Sequence, residues 1–257
     1  MSTQAAKPFP SRGLRNLSAR EAMQRTAALA CTLPPDNAPR CSGQVNVGLF
    51  FDGTGNNMAE DFEKPPPEKR KHSNVVRLFR THRRSVGEGF FAFYAPGVGT
   101  AFPDIGDDGQ YWGLNRGAAF ASRGERRITW AFMQLLNAPH RYVKNADLLP
   151  PDQANNIARV LGSVDSPAAQ RRTDLRHWQG RLSAALKDQK PTVTQINVSV
   201  FGFSRGAAQA RAFVNWLFEV CDQEAGGYTF AGIPIRLHFL GIFDTVASVG
   251  LANLYEN

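Results

Sequence analysis

An apolar run of strand length, TVTQINVSVF at 192–201, breaks on GFSRG at 202–206 and passes directly into a helical pattern. The second half of that run is almost continuously apolar, which predicts a strand buried on both faces, as in the interior of a parallel sheet. The helix that follows carries Ala207, Ala210, Val214, Leu217 and Cys221 on one stripe. One serine between two glycines at this junction narrows the fold further. Ser204 must turn sharply between strand and helix, and Gly202 and Gly206 must leave room for the elements packed on either side. G-x-S-x-G in a strand–turn–helix setting is the nucleophile elbow, which lifts a hydroxyl above a sheet. The same residues would also suit a plain Gly-Ser turn that starts a helix.

The rest of the chain repeats the strand–helix rhythm. QVNVGLFF predicts a strand that ends on the turn cluster DGTGNN at 52–57. HSNVVRLFRTH predicts a helix capped by Ser73 or Asn74, with Val75, Val76, Leu78 and Phe79 apolar. GFFAFYAPGVGT at 89–100 predicts a second strand, and 115–137 a helix with Ile128, Phe132 and Leu135 at core spacing. Residues 138–190 read as a loop-rich insertion whose helix presents Leu175, Trp178, Leu182 and Leu186 on one face. A last strand and turn fall within 233–250. Alternating elements of this kind predict an α/β fold, a mostly parallel sheet with helices on both faces. The expected organisation is a flexible leader over 1–43, with a short helix at 19–30, and one core over 44–257.

Composition removes several function classes. Apolar residues make up 42% of the chain, so a packed core is expected. No apolar stretch reaches the roughly 18 residues of a spanning helix. TAALACTL at 26–33 is too short for a Sec-type signal core, so synthesis in the cytoplasm is expected, with a route for folded cargo left open. The three cysteines, Cys31, Cys41 and Cys221, are odd in number and scattered, which argues against a disulfide framework or a zinc site. No metal and no organic cofactor is expected. The net charge of +8 is spread in short clusters such as EKRKH and RTHRR. That pattern suits a solvated surface, with weak attraction to an anionic membrane as the second reading and no nucleic-acid site.

Three segments, DGTGNN, GFSRG and FDTVASVG, all fall at the C-terminal ends of strands, where ligands bind such sheets. A nucleophilic serine needs a histidine base oriented by an acid, in the chain order Ser, Asp, His. Asp244 ends a strand forty positions after Ser204 and is the expected acid; an Asx-turn or a helix cap is the plain alternative. The N–H groups of Gly53, Thr54 and Arg205 are the expected oxyanion donors. DGTGNN lacks the Lys-Ser/Thr of a phosphate loop and the third glycine of a dinucleotide fingerprint. Asp52 stays unassigned. The five histidines are His72, His82, His140, His177 and His238, and none follows Asp244. His238 precedes it by six positions on the same strand and is expected to be a structural residue deep in or under the sheet. The chain therefore reads as stopping before its catalytic histidine, with an apolar patch expected where the next segment would pack.

FFDGTGNN, HSNVVRLF, YAPGVGT, GFSRGAAQARAF and GIFDTVASVG, in that order, resemble an uncharacterised α/β-hydrolase-like domain family that includes the phospholipase effectors of bacterial type VI secretion, the first lipase-effector family. The resemblance covers about residues 45–250, with 138–190 variable. It implies a Ser-Asp-His hydrolase with Ser204 as nucleophile and Asp244 as acid, and a histidine supplied by a later segment. It further implies an antibacterial toxin acting on phospholipid esters, with membrane contact, an immunity protein and a secretion adaptor as partners. The chain then reads as a fragment, incomplete at its C-terminus. An intracellular esterase on a soluble substrate and a non-catalytic binding fragment are the alternatives.

Overall fold

The computed structural model describes residues 18–20, 22–23, 41–109, 116–162, 168–224 and 226–246, the side chains of 116–122 and 168 excepted. The chain divides into two units, Met1–Arg40 and Cys41–Asn257. Of the helix expected at 19–30, only residues 19, 20, 22 and 23 are described, and they are helical; the others lie outside the described residues.

In the second unit β1 (Ser42–Phe51), β2 (Phe90–Ala95), β5 (Thr192–Phe203) and β8 (Ile233–Phe243) form a parallel core, extended by a hairpin of β6 (Asp222–Glu224) and β7 (Gly227–Phe230). The sheet order is β2-β1-β5-β8-β7-β6, and β7 runs antiparallel to β8. Two short strands, β3 (Ala101–Phe102) and β4 (Asp107–Asp108), pair apart from it. The helices are α1 (Asn74–Thr81), α2 (Arg116–Lys144), α3 (Pro151–Leu161), α4 (Ala168–Leu186) and α5 (Arg205–Val220).

One face of the sheet is covered by α2, α4 and α5. Val45, Val47 and Leu49 of β1 and Ile196, Val198 and Val200 of β5 meet Phe132, Leu135 and Leu136 of α2, Leu182 of α4 and Phe213 of α5, all at most 1% exposed. At about 1.5–3 kcal/mol for each fully buried side chain, this cluster supplies much of the gross driving force for folding. The expected stripes on α4 and α5 are the faces turned to it. The opposite face carries α1, whose Val75 and Phe79 pack on Phe50. Ser73 caps α1 by accepting the N–H of Val76 at 3.3 Å, one of the two caps expected.

Two local readings are corrected. The segment from Ala138 onward is not loop: α2 runs through Pro139 to Lys144, and α3 starts at Pro151. Ala138 and Tyr142 are buried, and that packing outweighs the hydrogen bond Pro139 cannot donate. Pro151 occupies the first helical position, where its missing N–H is no loss. Asn137 then joins this connection to α2, exchanging hydrogen bonds with the Leu149 N–H and carbonyl at 2.9 and 3.0 Å. His238, expected deep in the sheet, is instead exposed. The register shifts there: Val198 faces Leu237 and Ser199 faces Phe239, so His238 is the extra residue of a β-bulge. The bulge turns Phe239 onto the α1 side of the sheet, with its ring 5.3 Å from that of Phe201. Beyond Ile235 the outer edge of β8 has no strand partner among the described residues.

Candidate active site

Ser204 follows β5 directly and caps α5, with φ 55° and ψ −122°. A non-glycine residue there stores on the order of 1–3 kcal/mol of strain, held by its surroundings. Those surroundings are visible. A Cβ on Gly206 would stand 2.4 Å from the carbonyl oxygen of Phe51 and 2.5 Å from that of Asp52. A Cβ on Gly202 would stand 2.4 Å from the carbonyl oxygen of Gly206. The two glycines thus let β1, β5 and α5 approach at backbone contact and bend the chain into the elbow.

Phe203 of β5 lies opposite Phe243 of β8, so Ser204 and Asp244 leave the sheet side by side at its C-terminal edge. Their turns are hydrogen-bonded together. The Ser204 N–H donates to the Phe243 carbonyl at 2.9 Å, and the Val246 N–H donates to the Ser204 carbonyl at 3.3 Å. Asp244 itself has φ 44°, a second non-glycine residue in the left-handed region. Ser204 is half-buried and Asp244 exposed. Phe243 and Val246, 43% and 46% exposed, flank Asp244 in the chain; Phe239, 51% exposed, lies further back along β8, opposite Ser199.

The third segment closes on the same point. The Arg205 Nε–H donates to Thr54 Oγ1, which ties the elbow to the turn after β1. In that turn the Asn56 N–H donates to the Gly53 carbonyl at 3.0 Å and the Gly55 N–H to the Val98 carbonyl at 3.0 Å. Of the expected donors, the Gly53 N–H is already given to Asp52 Oδ1 at 2.8 Å. The Thr54 N–H meets no acceptor among the described residues.

Asp52, left unassigned by the sequence, is the centre of this edge. It is 1% exposed. Besides Gly53 it accepts the Tyr94 hydroxyl at 2.6 Å and the Ser73 hydroxyl at 2.9 Å, both on Oδ2. Burial raises its pKa above the ordinary 3.8, the three hydrogen bonds oppose that rise, and Asp61 adds to it. Below about pH 3.8 both folded and unfolded chains hold the proton and ionisation costs nothing; the cost to the fold grows as pH rises through the elevated folded value and is complete above it. Asp52→Asn is therefore expected to raise the melting temperature at neutral pH and to leave it unchanged near pH 3.5. Thermal melts across that range check this, and a neutral-pH loss in the variant would contradict it.

None of the five histidines hydrogen-bonds to Ser204 or Asp244. His140 Nδ1 pairs with the Ala146 carbonyl, His82 Nδ1 with the Arg83 carbonyl, and His238 faces Arg236. His177 stacks edge-on with Trp178 on α4. His72, just before the α1 cap, packs edge-on against Phe62 and leaves Nδ1 buried without a partner. Burial, then Arg77, Arg80 and Arg70, lower its pKa. No group of three or more metal-ligating side chains occurs among the described residues. An apolar hollow of about 550 Å³ lined by Val143, Leu186, Val193 and Ile233 lies at the opposite, N-terminal ends of β5 and β8.

The site thus joins a strained serine, an adjacent carboxylate and a turn with an open N–H, an arrangement suited to nucleophilic attack on a carbonyl. The family model for the catalytic domain of Tle1-like phospholipase effectors of type VI secretion matches residues 46–221, which includes the Ser204 elbow and stops before Asp244. No curated protein matches the chain. Among solved structures, the crystal structure of an uncharacterized protein from Pseudomonas aeruginosa is similar, with a TM-score of 0.72 and 31% identity over 96% of this chain. The chain spans 36% of that protein.

Proposed function

The chain belongs to the Tle1-like phospholipase effectors of type VI secretion, and from that membership we propose that it is a serine hydrolase of phospholipid acyl esters, with Ser204 as nucleophile and Asp244 as acid. The observation that carries the reading is the strained Ser204, bonded through its backbone to the Asp244 turn. Ser204 Oγ attacks the ester carbonyl while an imidazole accepts its proton. The tetrahedral oxyanion takes the N–H of Thr54 and, from the start of α5, that of Arg205, aided by the helix dipole. The alcohol leaves with the proton, and water releases the acyl group from Ser204. Asp244 orients the imidazole and stabilises its charged form. The exposed Phe243 and Val246, on either side of Asp244, favour an acyl chain over a small soluble ester. Delivery by a type VI system, contact with a membrane surface, and an immunity protein and an adaptor as partners belong to the same reading.

An alkyl fluorophosphonate tests it. Its label should map to the peptide containing Ser204 and be absent in Ser204→Ala. Labelling of another residue, or of none when imidazole is added as base, would sink the nucleophile.

A further inference from the structure

The carboxylate of Asp52 is 1% exposed at this edge of the sheet, and the mechanism above leaves it without a role. It follows β1 directly and binds three separate pieces of chain. Oδ1 takes the Gly53 N–H, and Oδ2 takes the hydroxyls of Tyr94 on β2 and Ser73 at the α1 cap. Each hydroxyl passes the connection on. Tyr94 Oη accepts the Met58 N–H at 3.0 Å, and Ser73 Oγ accepts the Val76 N–H. The start and the end of the 53–58 turn are thus held to one side chain. No Lys or Arg forms a salt bridge with Asp52 among the described residues, so the group is desolvated without a countercharge, which is costly unless its hydrogen bonds are needed. The turn it holds is the one that Arg205 touches through Thr54.

Resting on the hydrolase reading above, the geometry points to Asp52 as a positioning residue that aims the Thr54 N–H at the oxyanion formed over Ser204. Fixing the Gly53 N–H on Oδ1 sets the first peptide plane of the turn. Fixing Met58 through Tyr94 sets its far end. Thr54, between these anchors, is left with its N–H open. The role is one of hydrogen-bond geometry, not of charge. An amide at position 52 can accept the Gly53 N–H on its oxygen and donate to the two hydroxyls, so it should keep the turn, whereas a methyl group can do neither.

Butylboronic acid, which forms a tetrahedral adduct on a nucleophilic serine, reads this without turnover. The wild-type chain should bind it with a shift of the Thr54 amide resonance, and Ser204→Ala should not bind. Asp52→Ala should bind at least tenfold more weakly, without the Thr54 shift and while still melting cooperatively. Asp52→Asn should stay within threefold of wild type. If Asp52→Ala does not fold, the double variant Ser73→Ala/Tyr94→Phe, which frees two of the three anchors, should show the same tenfold loss. A folded Asp52→Ala (or, in its place, the double variant) with wild-type affinity overturns the role. So does an Asp52→Asn as weak as Asp52→Ala, since charge would then be the cause. A wild-type chain that fails to bind, or a Ser204→Ala chain that binds equally well, removes the hydrolase reading itself and this role with it.

Discussion

Ser204→Ala should cost the chain nearly all of the ester hydrolysis that added imidazole stimulates, and almost none of the hydrolysis seen without it. The asymmetry follows from how triad members act. They work as a unit, so removing the serine from a site whose base is already unpositioned changes little. None of the five histidines bonds to Ser204 or Asp244, so the unassisted chain should show only the residual rate that binding and oxyanion donors supply. A diffusible imidazole that reaches the serine restores general-base catalysis, which contributes roughly 10²–10⁴-fold when fully positioned. A stimulation of about 10²-fold in wild type and none in Ser204→Ala is the expected result, read with a short-chain chromogenic ester. His72, which precedes the α1 cap and has an unpartnered nitrogen, is the control. A wild-type rate about 10⁴-fold above Ser204→Ala without imidazole would show that one of the five is the base. If His72→Ala alone removed that rate, the base would be His72.

Arg127→Met should be the most destabilising single substitution on the covered side of the sheet. Arg127 is fully buried in α2 and donates to Asp107 Oδ2 at 2.8 Å and to the carbonyls of Pro96, Gly97, Thr100 and Arg123. Met fills most of the space but satisfies none of these acceptors. Asp107, 2% exposed, then keeps Arg123 as a partner and loses the buried one. Breaking one side of a buried ion pair costs about 3–5 kcal/mol, which for a domain of this size is roughly 10 °C in melting temperature. The damage should also reach the site. Arg127 holds the 96–100 loop, and Gly97 of that loop packs so close to the Gly53 carbonyl that a Cβ would stand 1.8 Å away. Calorimetry of the variant, with boronate affinity beside it, tests both; a melting temperature within 2 °C of wild type would contradict the argument.

Much of this was written locally in the chain. The parallel strands, the α1 cap at Ser73 and the stripes on α4 and α5 follow from periodicity and capping, which are properties of neighbouring residues. The elbow was legible because G-x-S-x-G needs its glycines for contacts that any strand–turn–helix junction makes. The helix through Pro139 was not legible, because a proline's local preference says nothing of the burial of Ala138 and Tyr142 that carries the helix past it. The family resemblance rested on the same ordered segments and is supported by the match over residues 46–221.

What sequence could not decide is whatever depends on residues far apart in the chain meeting at one atom. A single bulge at His238 sets which face Phe239 takes, and no pattern of residues announces where a ladder slips. Whether the Gly53 N–H is open to a substrate or spent on Asp52 is a matter of one side-chain rotamer. Asp52 takes no assignment from the sequence. Its weight comes from Ser73 and Tyr94, 21 and 42 positions away, whose hydroxyls reach it only because α1 and β2 pack against β1. Residue types and local order chose the fold and placed the serine; tertiary packing alone chose which hydrogen bonds remain available above it.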